Sequence, residues 1–225
     1  MKKNQVLRIV LVAAVLLLGG VSLIAEGSLS SRIEQRMQEV LPKAKNISAS
    51  IPFFEVLGDL VSDSIKTAHI TIDEYPLKDS TFTPNLEITV REISKSKPTR
   101  VGTLELTATI PAATITQLSG LENAQIVGDA LQVSVGAAGL GQALLVPKYS
   151  NNQLYFEVKS VSLFGQEIPA DSLPLDIQEQ IKSKSVRDLA FPKELRVKSV
   201  TISSKGLSIN LQGNNLQLTN LGKSF

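Results

Sequence analysis

The chain has no cysteine, no tryptophan and a single histidine, His69. Without cysteine neither a disulfide nor a thiol nucleophile exists. One histidine alone cannot assemble a zinc site of the usual kinds. Aromatic residues are 4% of the chain, and charge is nearly balanced, with 23 basic and 21 acidic residues for a net +2. No basic block stands out, so the clustered phosphate neutralisation that nucleic-acid binding needs has no footprint. What remains is aliphatic. Hydrophobic residues make up 43% of the 225 positions, enough for a substantial core.

The motifs of catalysis are equally sparse. No G-x-S-x-G elbow presents a serine to His69, which sits beside Ile70 in an alternating run and reads as a surface-facing strand residue. Gly136 to Gly141 resembles a nucleotide loop, but Leu144 stands where the third glycine would be, and no helix start follows. A glycine-rich bend between strands suits it better. Ser94 to Lys97 matches S-x-x-K only in form, within a polar turn before Pro98. Asn46-Ile47-Ser48 is a glycosylation sequon by pattern alone. Asp59 and Asp63, and the adjacent Asp73 and Glu74, give no acid–base pair that can be assigned. The chain reads as non-enzymatic, with no cofactor or metal motif.

The N-terminus carries a stronger signal. Lys2, Lys3 and Arg8 precede Ile9 to Ala25, a run with no charged side chain. At ~1.5 Å per helical residue it spans roughly 25 Å, close to a hydrocarbon core of about 30 Å. Basic residues before such a core keep the N-terminus cytoplasmic and send the rest across. The expectation is a membrane anchor or signal segment over 1–27 and an extracytoplasmic domain over 28–225, on the periplasmic or cell-envelope side. The exit, Gly20 to Glu26, matches an A-x-A cleavage site poorly, which favours a retained signal anchor over a cleaved signal peptide.

Beyond the anchor, Ser28 to Ala44 predicts a helix with Leu29, Ile33, Met37, Val40 and Leu41 at helical spacing, ended by Pro42. Asn46 to Ile51 is strand-like, and Phe53 to Asp63 suits a short helix. From residue 64 the period becomes 2. Ile70 and Ile72; Leu86, Ile88 and Val90; Leu104, Leu106, Ala108 and Ile110; Leu131, Val133 and Val135; Leu144 and Val146; Leu154, Phe156 and Val158; Val200 and Ile202; and Leu207, Ile209 and Leu211 each alternate with polar neighbours or turns. Each predicts a strand with one dry and one wet face. Lys205-Gly206 suits a hairpin turn. Two helices interrupt them: Pro111 to Leu118, with Ala112, Ala113, Ile115 and Leu118, and Leu173 to Lys184, with Leu175, Ile177 and Ile181 inward and Gln178 and Glu179 outward. The fold class is α+β: a strongly curved antiparallel sheet wrapped around helices.

Ser50-Ile51-Pro52-Phe53-Phe54, followed by Leu57, Leu60 and the Ile70/Ile72 strand, together with the ending Val197 to Ile202, Gly206-Leu207-Ser208-Ile209 and Gly213, resembles the LmeA-like phospholipid-binding proteins of bacterial cell envelopes. The resemblance covers roughly residues 28–215 and is one of pattern and order. It implies a fold similar to tubular lipid-binding domains, no catalytic residues, and a phospholipid or other acyl-chain lipid as partner, bound and then transferred or presented. The alternative is a membrane-tethered structural or interaction module that scaffolds envelope proteins. For a lipid site, the entrance is expected at Phe53 and Phe54, where Pro52 ends a strand and two adjacent rings ~100° apart on a helix cannot both enter one core. Leu57 and Leu60 would line the wall behind them, and Ile70, Ile88, Leu104 and Leu106 would be the sheet's contribution. Each methylene moved from water onto such a wall is worth ~0.8 kcal/mol.

Overall fold

The structure is a computed structural model, and it describes residues 31, 34–35, 37–38, 43–50, 64–75, 83–94, 100–119, 124–135, 141–163, 165–173, 175–189, 191 and 193–217. The expected anchor over 1–27, the Phe53–Asp63 helix and the Gly136–Leu140 bend therefore lie outside the described residues. Among the described residues no helix is long and apolar enough to cross a membrane. Ser31, Glu34, Gln35, Met37 and Gln38 are helical, with Met37 wholly buried, as the stripe through Met37 predicts.

The alternating stretches form strands, and they divide between two open antiparallel sheets. The first sheet takes β1 (Lys45–Ser50), β2 (Ser64–Glu74), β3 (Asn85–Ser94), β4 (Arg100–Pro111), β11 (Arg196–Ser203) and β12 (Gly206–Gln217) in the order β1-β2-β3-β4-β12-β11. The second takes β5 (Gln125–Val127), β6 (Ala130–Val135), β7 (Gly141–Ser150), β8 (Gln153–Leu163) and β10 (Arg187–Asp188) in the order β10-β8-β7-β6-β5, with β9 (Gln166–Pro169) also on β8. Helix is a minor part: α1 (Ala112–Ser119), α2 (Leu175–Ser185) and a 3-10 turn over Ala170–Ser172. The chain separates into two compact units. One is Met1–Ala108 with Phe191–Lys198 and Asn210–Phe225; the other is Thr109–Ala190 with Ser199–Ile209.

In the first unit alternation is interrupted in several strands, and at three of these places a residue has a left-handed backbone. Asn46 in β1, Glu92 in β3 and Asn215 in β12 have φ of 51°, 57° and 51°, and each lies in a pair of consecutive exposed residues. The pairing of β1 with β2 and of β2 with β3 stays one-to-one through Asn46 and Glu92, so these residues change which face is buried without inserting a residue. Asn tolerates the left-handed region, whereas Glu92 needs room beside it. Gly102 supplies that room: a Cβ there would lie 2.8 Å from the Cβ of Glu92.

In the second unit, β7 keeps one phase throughout, burying Ala143, Leu145 and Pro147. This corrects the expectation that Leu144 and Val146 face inward; both are half-buried on the opposite side. Leu144-Leu145-Val146-Pro147 is apolar at every position, so periodicity cannot choose a face, and the pairing with β8 decides it. Leu144 pairs with Ser160 and Leu145 with Val158, which leaves Lys159 as the extra residue of a bulge, its Nζ 3.2 Å from Asp129 Oδ1. Asn151 and Asn152 form the turn before β8, and both have positive φ, as a two-residue type I′ hairpin requires.

The far edge of β8 is covered piecewise. Arg187 and Asp188 pair with Leu154 and Gln153, and β9 pairs with Ser160 to Leu163. Between them the Phe156 N–H donates to Ser185 Oγ at 3.0 Å, while Ser185 donates to the Lys182 carbonyl at 2.9 Å. Neither β9 nor β10 was anticipated, because segments of four and two residues carry too little periodicity. Ile181 and Ile115 are buried as expected, but Leu175 is 75% exposed and Ala113 is exposed. A first-turn position so near a helix end can rotate clear of the stripe. Gln178 is not free in solvent; it donates to the carbonyls of Ala170 and Leu173 at 3.0 and 3.1 Å.

Two substitutions test these constraints. Ser185→Ala leaves the buried Phe156 N–H without an acceptor and is expected to cost about 1–3 kcal/mol. Gly206 has φ of 136°, and a Cβ there would fall on the Ile110 carbonyl, so Gly206→Ala is expected to lose at least about 1–3 kcal/mol. Urea denaturation of each variant measures both.

Candidate functional site

The face expected to carry the site is built from cross-strand pairs in the first unit. Ala49 pairs with Ile70 and Ile70 with Ile88, forming one row across β1, β2 and β3. Ile47, Ile72 and Leu86 form the next, and Ala68 with Val90 a third. Ile70 and Ile88 are each 1% exposed, Leu104 0% and Leu106 2%. All four sheet residues expected at the site are thus buried, and Ile70 and Ile88 are direct partners. Leu104 and Leu106 share one face of β4, since they stand two apart on a strand. Phe53, Phe54, Leu57 and Leu60 lie outside the described residues.

Ile72, Leu86, Val90 and Leu211, named as inward-facing by their alternation but not as site residues, are also buried, as are Ala49 and Ala68, which the alternation did not single out. The signal was present; what it lacked was knowledge of which strands are neighbours.

The face is chemically uniform. None of the six strands of the first sheet contains Phe, Tyr, Trp or Met. Among the described residues the buried polar side chains are Ser160 and Ser185, both in the second unit. A wall of Leu, Ile, Val and Ala with no ionisable group has no means of moving a proton or activating a nucleophile. It can exclude water and solvate apolar matter. Among the described residues no group of three His, Asp or Glu is placed to hold a metal ion.

Polar groups line the opposite side of the same strands. His69 is exposed and its Nδ1 lies 3.0 Å from Thr89 Oγ1, its cross-strand partner. Arg91 pairs with Glu105 at 3.1 Å, and Thr107 Oγ1 donates to Asn210 Oδ1 at 2.7 Å. His69 is the surface strand residue its flanks predicted. Two tyrosines are shifted: burial raises the phenols of Tyr75 and Tyr149 above their usual 10.0. The folded state therefore holds them neutral more firmly than the unfolded chain does. The stability this gives is complete below pH 10 and declines as pH rises past it. Tyr149 Oη also reaches the Leu189 carbonyl at 3.0 Å.

The sheet face is thus buried, aliphatic and uncharged. The sequence places it within a known group: the chain matches the LmeA-like phospholipid-binding family over residues 20–212 and belongs to that family. No curated protein and no solved structure matches the chain.

Leu106→Ala is expected to cost about 2–5 kcal/mol, the range for emptying a buried leucine site. His69→Gln, which keeps a polar group beside Thr89, is expected to stay within about 0.5 kcal/mol of the parent and to leave cellular function intact. Denaturation curves and complementation of a deletion strain check the pair.

Proposed function

We propose that the protein binds phospholipid, or another acyl-chain lipid, in the bacterial cell envelope without catalysing a reaction, and transfers or presents it there. The observation that carries this reading is the aromatic-free aliphatic face of the first sheet in a chain of a phospholipid-binding family. Acyl chains lie against Ile70, Ile88, Leu104 and Leu106. Phe53 and Phe54 stand at the entrance, with Leu57 and Leu60 behind them. In this reading the sheet curves around helices as in tubular lipid-binding domains. The left-handed backbone at Asn46, Glu92 and Asn215 supports local bending of these strands. Residues 1–27 tether the domain to the membrane, with the rest on the extracytoplasmic side.

Lipid extraction from the purified protein followed by mass spectrometry tests the binding. A stoichiometric phospholipid is expected, and its absence would remove the proposal. Phe54→Ala is expected to lower lipid occupancy with a stability loss well short of the ~3–5 kcal/mol for emptying a core phenylalanine site. Full destabilisation with unchanged occupancy in the folded fraction would make Phe54 ordinary core. A C-terminal reporter active only after export, with Lys2 retained in the mature protein, is the result expected for the anchor.

A further inference from the structure

The three tyrosines differ in how their hydroxyls are met. Tyr149 Oη lies 3.0 Å from the Leu189 carbonyl and 3.2 Å from Asn152 Oδ1. Tyr155 Oη lies 3.3 Å from Ser150 Oγ. Tyr75 is 7% exposed, yet among the described residues its hydroxyl has no hydrogen-bond partner. The hydrogen bond it does make comes from its main chain, whose N–H donates to the Pro84 carbonyl at 3.1 Å. A buried phenol ordinarily finds an acceptor, and one that the chain leaves unmet calls for a partner from outside it.

Tyr75 directly follows β2, past the row formed by Ile47, Ile72 and Leu86. Asp73 and Glu74 interrupt the buried series on β2, as Lys45 and Asn46 do on β1, and Lys45 stands across from Glu74. Beyond these exposed residues burial resumes, with Tyr75, Ala44 and Pro84. Ile72 is three residues back, roughly 10 Å along an extended chain. The charged residues beside Tyr75 on the two strands are one cation, Lys45, and two acids, Asp73 and Glu74, and the cation is engaged by Glu74 at 2.7 Å. This setting disfavours an anionic oxygen next to the phenol. Burial also raises the Tyr75 hydroxyl above its usual 10.0, so it stays protonated and is a donor for a neutral acceptor.

We propose that Tyr75 is the polar contact of the lipid site, its hydroxyl donating to an ester carbonyl oxygen of a lipid whose acyl chains lie on the adjoining aliphatic row. The proposal rests on the lipid-binding reading above and adds to it the linkage by which the lipid is recognised. The aliphatic strands hold a chain by excluding water and do not distinguish an ester from an ether. A hydroxyl left without a partner makes that distinction, because it gains its hydrogen bond only when a carbonyl arrives.

The experiment compares the full-length protein and Tyr75→Phe for binding of two phosphatidylglycerols of equal chain length, one a diester and the other a diether. The parent is expected to prefer the diester by about three- to tenfold, the scale of one neutral hydrogen bond. Tyr75→Phe should lose that preference while binding the diether as before. With carbonyl-labelled diester, the infrared carbonyl band should lie at lower frequency in the parent complex than in the variant complex. Equal affinity of the parent for both lipids, or a preference that survives in the variant, would overturn the contact. A variant that weakens both lipids alike would place the hydroxyl on the headgroup and overturn the ester assignment. Because Phe removes only an unmet hydroxyl, the urea midpoint of the lipid-free variant should not fall; a lower midpoint would show that the fold itself uses the hydroxyl, and would overturn the proposal. Failure of the parent to bind either lipid would instead overturn the lipid-binding reading.

Discussion

The first sheet depends on holding one face dry through the register of its strands. Side chains alternate with a period of two, so a slip of one residue would turn Ile70, Ile88, Leu104 and Leu106 to water together. The Ala49–Ile70–Ile88 row is possible only in the observed register. The three left-handed residues Asn46, Glu92 and Asn215 change phase without losing that row. Gly102 is tied to the same constraint, because the side chain of Glu92 occupies the space its missing Cβ leaves.

The two sheets meet the burial problem with different materials. The strands of the first sheet use only aliphatic side chains to form a dry face, which leaves a smooth and adaptable surface. The second unit uses Phe156 in its core, secures Tyr149 through its hydroxyl to the Leu189 carbonyl, and places Lys182 4.5 Å from the centre of the Tyr155 ring. Its sheet edge is closed by Ser185 and two short strands. Directional contacts of this sort fix one packing, whereas dispersion among aliphatic groups tolerates several.

Negative features of the sequence carried much of the functional reading. The absence of cysteine, the isolation of His69 and the lack of a nucleophile elbow argue against catalytic sites from composition alone, and membership of a phospholipid-binding family agrees with a binding role. The location of His69 on an exposed strand, bonded to Thr89, follows from its alternation with Ile70.

Strand identity was written in the sequence because period-2 alternation is a local property. Ile70/Ile72, Leu86/Ile88/Val90 and Leu207/Ile209/Leu211 all face inward as their spacing predicts, and Asn151-Asn152 marks its own turn by tolerating positive φ. Partnership is not local. Nothing in the alternation says that β4 lies beside β12, or that the strands divide between two sheets. Where both faces are apolar, as at Leu144 to Pro147, only the pairing with β8 and its bulge at Lys159 chose the buried side. Strands of two to four residues were also invisible, since they hold too few side chains to show a period. The residues of the aliphatic face could be named one strand at a time; that they line up in rows across the strands was decided by hydrogen bonds between segments far apart in the chain.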